Sequence, residues 1–166
     1  GDEDLAKALE ALAIRKAGDN VRLLATLGRT AENLNRYNVA LRLYQRASEL
    51  DPERAPLHYR IGRLLRLLGQ YEAALESLRK AVRLNPRWAR VYNEIGAAYR
   101  DLHRYADAID AHRLAIALDP DDGVSYASLG HTFEKAEQDE AAAQMYEKAL
   151  ELDPTFEEPY VGLAFV

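Results

Sequence analysis

Four prolines, Pro52, Pro86, Pro120 and Pro154, stand 34 residues apart, and each closes a triplet of leucine, an acid or its amide, and proline: Leu50-Asp51, Leu84-Asn85, Leu118-Asp119 and Leu152-Asp153. Proline has no N–H to donate and drives its preceding residue toward extended backbone, so each triplet ends a helical segment and turns the chain. A chain stopped at this interval cannot form one long helix and must be built from repeated short ones. With proline placed at position 32, the units run 21–54, 55–88, 89–122 and 123–156 with no gaps.

Other positions then fall into register. Position 8 is Gly28, Gly62, Gly96 and Gly130, each preceded by Leu27, Ile61, Ile95 or Leu129, and positions 20 and 27 are alanine in every unit. Glycine inside a helix costs on the order of 1 kcal/mol against alanine, so its recurrence implies a return in packing, namely close approach of two helices. Larger residues alternate with the small ones: Leu24, His58, Tyr92 and Tyr126 at position 4, and Tyr44, Leu78, His112 and Tyr146 at position 24. Positions 4, 7, 8 and 11 share one helical face, which predicts a pair of amphipathic helices per unit.

The 34-residue period, with its bulky position 4, its aliphatic-Gly pair, its two alanines and its terminal proline, resembles the tetratricopeptide-repeat family. The resemblance implies an all-α fold, a right-handed superhelical solenoid of antiparallel helix pairs, and a protein-interaction scaffold with no catalytic activity. Ala31 stands where an aromatic is expected, and Asp139 replaces the tyrosine found at Tyr37, Tyr71 and Tyr105. The flanks extend the register. Ala6 and Ala13 lie 34 residues before Ala40 and Ala47, so residues 1–20 read as an N-terminal helix, a half-repeat or cap. Residues 157–166 open a fifth repeat, truncated or capping, with Tyr160, Leu163 and Ala164 at positions 4, 7 and 8. The start at Gly1, without methionine or the order of a signal peptide, reads as a fragment boundary.

Composition narrows the function classes. With 48% hydrophobic and 30% charged residues the chain is ordinary globular material. The absence of cysteine rules out a disulfide framework or thiolate metal site and leaves the compartment open, with the cytoplasm as the working expectation. Its apolar runs are far shorter than the roughly 20 residues that span a bilayer, so no membrane insertion is expected. His58, His103, His112 and His131 show no helical metal-pair spacing, and no phosphate loop, nucleophile elbow or zinc-protease motif occurs. No cofactor, metal or catalytic residue is expected.

In such a solenoid the first helix of each repeat lines the concave wall, exposing positions 2, 5, 6, 9, 12 and 13. Net charge along the four repeats is +2, +5, −3 and −5, so the early groove is basic. The candidate peptide-binding contacts are Arg29, Tyr59, Arg60, Arg63, Arg90 and Asn93, where guanidiniums are placed to grip the carboxylates of an acidic, extended or helical segment. A merely solvated arginine-rich surface is the competing reading. The carboxylate clamp of chaperone-binding family members is not expected, because its positions hold Ala25, Arg29, Arg60, Arg90 and Glu94. Nucleic acid is not an expected partner, since the whole chain carries −5 and Tyr59 is the one aromatic of the basic groove. Two further readings are a homo-oligomer joined head to tail through its basic and acidic ends, and the targeting domain of a larger enzyme.

Overall fold

Each 34-residue unit folds as a helical hairpin because its two amphipathic stretches are separated by a turn that one residue closes in the left-handed region. In the computed structural model, which describes residues 11–166, that residue is position 15 of every unit: Asn35, Gly69, His103 and Glu137, with φ of 55°, 76°, 60° and 57°. Backbone bonds lock the turn in the same way each time; Arg36 N–H donates to Ala31 O, Gln70 to Leu65, Arg104 to Tyr99 and Gln138 to Phe133. This six-to-one bond with a left-handed residue is the Schellman stop. Only glycine adopts that conformation freely, and the clash of a β-carbon with the backbone costs other residues roughly 1–2 kcal/mol there. Glu137→Gly is therefore expected to raise stability by about 1 kcal/mol, read as a higher urea midpoint with unchanged slope.

The resulting helices are α1 (Val21–Asn33), α2 (Tyr37–Leu50), α3 (Ala55–Leu67), α4 (Tyr71–Leu84), α5 (Ala89–Asp101), α6 (Tyr105–Leu118), α7 (Gly123–Lys135), α8 (Asp139–Leu152) and α9 (Glu157–Leu163). Residues 11–17 are also helical and stop at Gly18. Residues 1–10, including Ala6, lie outside the described residues. No strand occurs among those described. The chain divides into two compact units, one ending at Leu84 and one running from Asn85 to Val166.

The first unit packs α1 against α2, α2 against α3, and α3 against α4. Its core gathers Leu24, Leu41, Leu43, Tyr44, Leu57, Ile61, Leu64 and Leu65 around Ala40, Ala47 and Ala74. The second unit pairs α5 with α6, α6 with α7, α7 with α8, and α8 with α9. Leu129, Phe133, Ala142 and Tyr146 form a core there, with Ile109, Ile116, Met145, Leu163 and Val166 packed on it.

Two repeated contacts explain the residue register. A β-carbon added at position 8 would meet the side chain at position 24 of the same hairpin: one on Gly28 would sit 2.8 Å from the Tyr44 ring, one on Gly62 2.5 Å from Leu78 Cγ, one on Gly96 2.6 Å from His112 Cε1 and one on Gly130 2.8 Å from the Tyr146 ring. The close approach expected from the glycines is thus made by one side chain of the second helix set against the first. The second contact ties three of the position-4 rings to the turn before them. His58 Nε2 donates to Pro52 O at 2.7 Å, Tyr92 Oη to Pro86 O at 3.0 Å and Tyr160 Oη to Pro154 O at 3.2 Å. A polar-tipped ring at position 4 therefore satisfies the carbonyl that follows the helix stop.

Candidate functional site

Within the first unit, a carboxylate near the end of α1 organises the basic residues of α3. Glu32 is 7% exposed. Its Oε2 accepts the Tyr44 phenol at 2.6 Å and Arg60 Nη1 at 2.7 Å, while Oε1 accepts Arg63 Nη2 at 2.5 Å. Burial alone would raise the Glu32 pKa, but the phenol and the two guanidiniums overcome it and hold the carboxyl below its ordinary range. Burial and the neighbouring carboxylate together push the Tyr44 phenol well above its usual value, so it remains a donor. Arg60 also lies over the Tyr44 ring, 5.6 Å from its centroid.

Beside this network opens a cavity of ≈430 Å³ lined on one side by Arg22, Ala25, Thr26 and Arg29 of α1, and on the other by Pro56, Leu57 and Arg60 of α3, with Tyr44 and Arg54 completing the wall. Among the described residues, four arginines line it and no carboxylate does. Arg22, Arg29 and Arg54 are exposed. Arginine stays charged at every accessible pH and presents a planar fork to carboxylates and phosphates, so this wall can accept anions in bidentate geometry.

The second unit has a different polar centre. His112 is fully buried on α6, where its Nδ1 lies 2.6 Å from Asn93 Oδ1, and Asn93 Nδ2 donates to Ser128 Oγ at 3.3 Å. Burial, and then the charges of Arg100 and His131, lower the His112 pKa to about 3, so the ring is neutral and Nδ1–H is the donor. On α8, Tyr146 Oη donates to Glu134 Oε2 at 2.8 Å, and its ring lies between Gly130 and Gly162.

The six candidate contacts divide between the units. Arg29 and Arg60 line the α1–α3 cavity. Arg63 turns to Glu32 instead, and Tyr59 lies half-buried outside the cavity lining. Arg90 and Asn93 belong to the second unit, where Arg90 is exposed and Asn93 is engaged by His112 and Ser128. Arg22 and Glu32 stand at groove positions 2 and 12 of the first repeat but are not among the six contacts, Arg54 at position 34 lies off the groove face, and the register does not mark Glu32 as the group that holds α3. A signal for the last was present: repeats one and four pair Glu at position 12 with Tyr at position 24, as Glu32/Tyr44 and Glu134/Tyr146, whereas the middle repeats have Arg66/Leu78 and Arg100/His112. The two acid–tyrosine pairs are the two phenol–carboxylate bonds described above.

Family comparison settles what kind of array this is. Models described as tetratricopeptide or TPR repeats match residues 21–54, 43–76, 62–102, 89–122 and 124–156. The chain is a tetratricopeptide-repeat protein. Among solved structures, MamA protein is 27% identical over 93% of this chain and 84% of its own, with a TM-score of 0.76. MamA 41-end from Desulfovibrio magneticus RS-1 is likewise 27% identical, covering 86% of this chain and 80% of its own, with a TM-score of 0.76. Pseudomonas aeruginosa pilF shares the fold at a TM-score of 0.78, with 23% identity over 87% of this chain and 66% of its own. A search of curated proteins finds no match. The repeat family carries a protein-interaction scaffold, and the structural likenesses carry the all-α solenoid fold. No helix among the described residues is long and apolar enough to cross a membrane.

Proposed function

We propose that this tetratricopeptide-repeat scaffold binds an acidic peptide segment, extended or helical, and that the arginine-lined cavity between α1 and α3 is its main anchor. The observation that supports this reading is the set of four guanidiniums around one cavity with no carboxylate among the described residues of its lining. Arg22, Arg29 and Arg54 form no ion pair or side-chain hydrogen bond with the described residues, so their charge is available to a ligand. Exposed pairs contribute little singly, about 0–1 kcal/mol each, but several donors converging on one segment add specificity and speed of encounter.

The test is fluorescence anisotropy with a labelled hexa-aspartate peptide. Arg22→Glu with Arg29→Glu reverses two exposed charges that form no ion pair among the described residues, and is expected to weaken binding at least tenfold at about 50 mM salt. Unchanged affinity would remove the cavity from the site. Arg90→Glu in the same assay decides whether the second unit contributes through Arg90 and Asn93.

A second reading rests on how charge is divided. Residues 21–84 carry twelve basic and six acidic side chains, and residues 85–166 carry seven basic and sixteen acidic ones. Such a chain can serve as its own acidic partner, head to tail, in a heterologous contact. Light scattering at several protein concentrations is then expected to give a molar mass that falls as salt is raised, because opposed charges are screened within a Debye length of about 10 Å at 0.1 M.

A further inference from the structure

Arg60 belongs to two structures at once: it is in the wall of the α1–α3 cavity and it is tied to the buried Glu32 carboxylate. A free arginine on a helix surface samples many rotamers and loses up to about 2 kcal/mol of entropy when a ligand immobilises it. Arg60 has been ordered beforehand. Its Nη1 is bonded to Glu32 Oε2, and its guanidinium is supported on the Tyr44 ring. A guanidinium has five N–H donors, so the bond to Glu32 leaves a fixed fork for a second acceptor. Glu32 is itself held in place by the Tyr44 phenol and by Arg63.

We infer that Glu32, which touches no ligand in this scheme, is the positioning residue of the acidic-peptide site and determines its affinity by presenting Arg60 to the cavity in one orientation. The inference rests on the reading of the cavity as the peptide anchor. It makes a prediction opposite in sign to that of simple charge. If the site attracts acids only by net positive potential, removing a carboxylate next to it must tighten binding. If Glu32 works by positioning, removing it must loosen binding, because Arg60 then has to be ordered by the ligand itself.

The experiment measures hexa-aspartate affinity by anisotropy for the full chain, for Glu32→Gln, for Arg60→Lys and for Leu78→Val, together with the thermal midpoint of each. Glu32→Gln is expected to weaken binding about fivefold although the protein gains one unit of positive charge. Arg60→Lys keeps the charge but replaces the fork with a compact ammonium, and a similar loss is expected; this variant changes a half-exposed residue and keeps the inference testable even if Glu32→Gln fails to fold. Leu78→Val loosens the core of the same unit from α4, where the side chain packs on Gly62 and makes none of the polar bonds to Glu32, and is expected to lower the thermal midpoint with affinity unchanged. Affinity that is equal or tighter in Glu32→Gln, or equal to wild type in Arg60→Lys, overturns the inference. So does an equal weakening in Leu78→Val, which would show that lost stability alone explains the effect. Wild-type protein that does not bind the peptide overturns the underlying reading of the cavity, a result distinct from all of these.

Discussion

Gly96→Ala is expected to destabilise the protein by about 2 kcal/mol, although alanine is the better helix former by about 1 kcal/mol. The added methyl would sit 2.6 Å from both Cε1 and Nε2 of His112. The imidazole has nowhere to retreat: it is fully buried, and moving it breaks its 2.6 Å bond to Asn93. Overpacking of this kind costs about 1–3 kcal/mol, and a fixed ring places this site at the upper end even after the propensity gain is subtracted. In a chain of this length the loss corresponds to a fall of about 4–8 °C in Tm. A rise in Tm would mean that helix propensity outweighs packing at position 8. Gly62→Ala offers a graded comparison, because the group it meets is the aliphatic Leu78 side chain, and its combination with Leu78→Ala is expected to cost less than the two changes added separately.

Acid is expected to weaken the protein before its carboxylates titrate. His112 has a folded pKa of about 3 against about 6.5 for an unfolded histidine, so between those values the unfolded chain binds the proton and the folded one does not. Stability contributed by the neutral ring is complete above pH of about 6.5 and is lost as pH falls toward 3, on the order of 5 kcal/mol over the whole window. His58 and His131, also lowered by burial, act in the same direction from the same upper limit. Glu32 and Glu134 are depressed below 4.5, and add their loss only in stronger acid. Urea titrations at pH 7 and pH 5 separate the two groups. His112→Leu, the residue type that repeat two carries at this position as Leu78, is expected to flatten the slope between them, while the contributions of His58 and His131 remain. A slope equal to that of wild type would show that His112 ionises in the native state.

Much of this architecture is legible along the chain itself. Proline at 34-residue intervals, glycine at position 8 and alanine at positions 20 and 27 are local, short-range constraints: where a helix must stop and where two backbones must come close. Such constraints act within one hairpin, so repetition makes them visible in a single chain. The acid–tyrosine pairs of repeats one and four are written in the same register, but their meaning depends on position 24 lying across from position 12, a contact between two helices.

What the sequence determined by itself was the hairpin array and the basic character of its early repeats. Which arginines face a cavity and which are held by the protein was decided only in three dimensions. Arg60 and Arg63 are three residues apart on α3 and carry the same charge, yet one lines the α1–α3 cavity and the other does not, while both are bonded to Glu32 from the preceding hairpin. The reason is that a buried carboxylate must be neutralised by whatever cations come within hydrogen-bond reach, and that reach is set by helix packing across some thirty residues of chain rather than by any pattern along it.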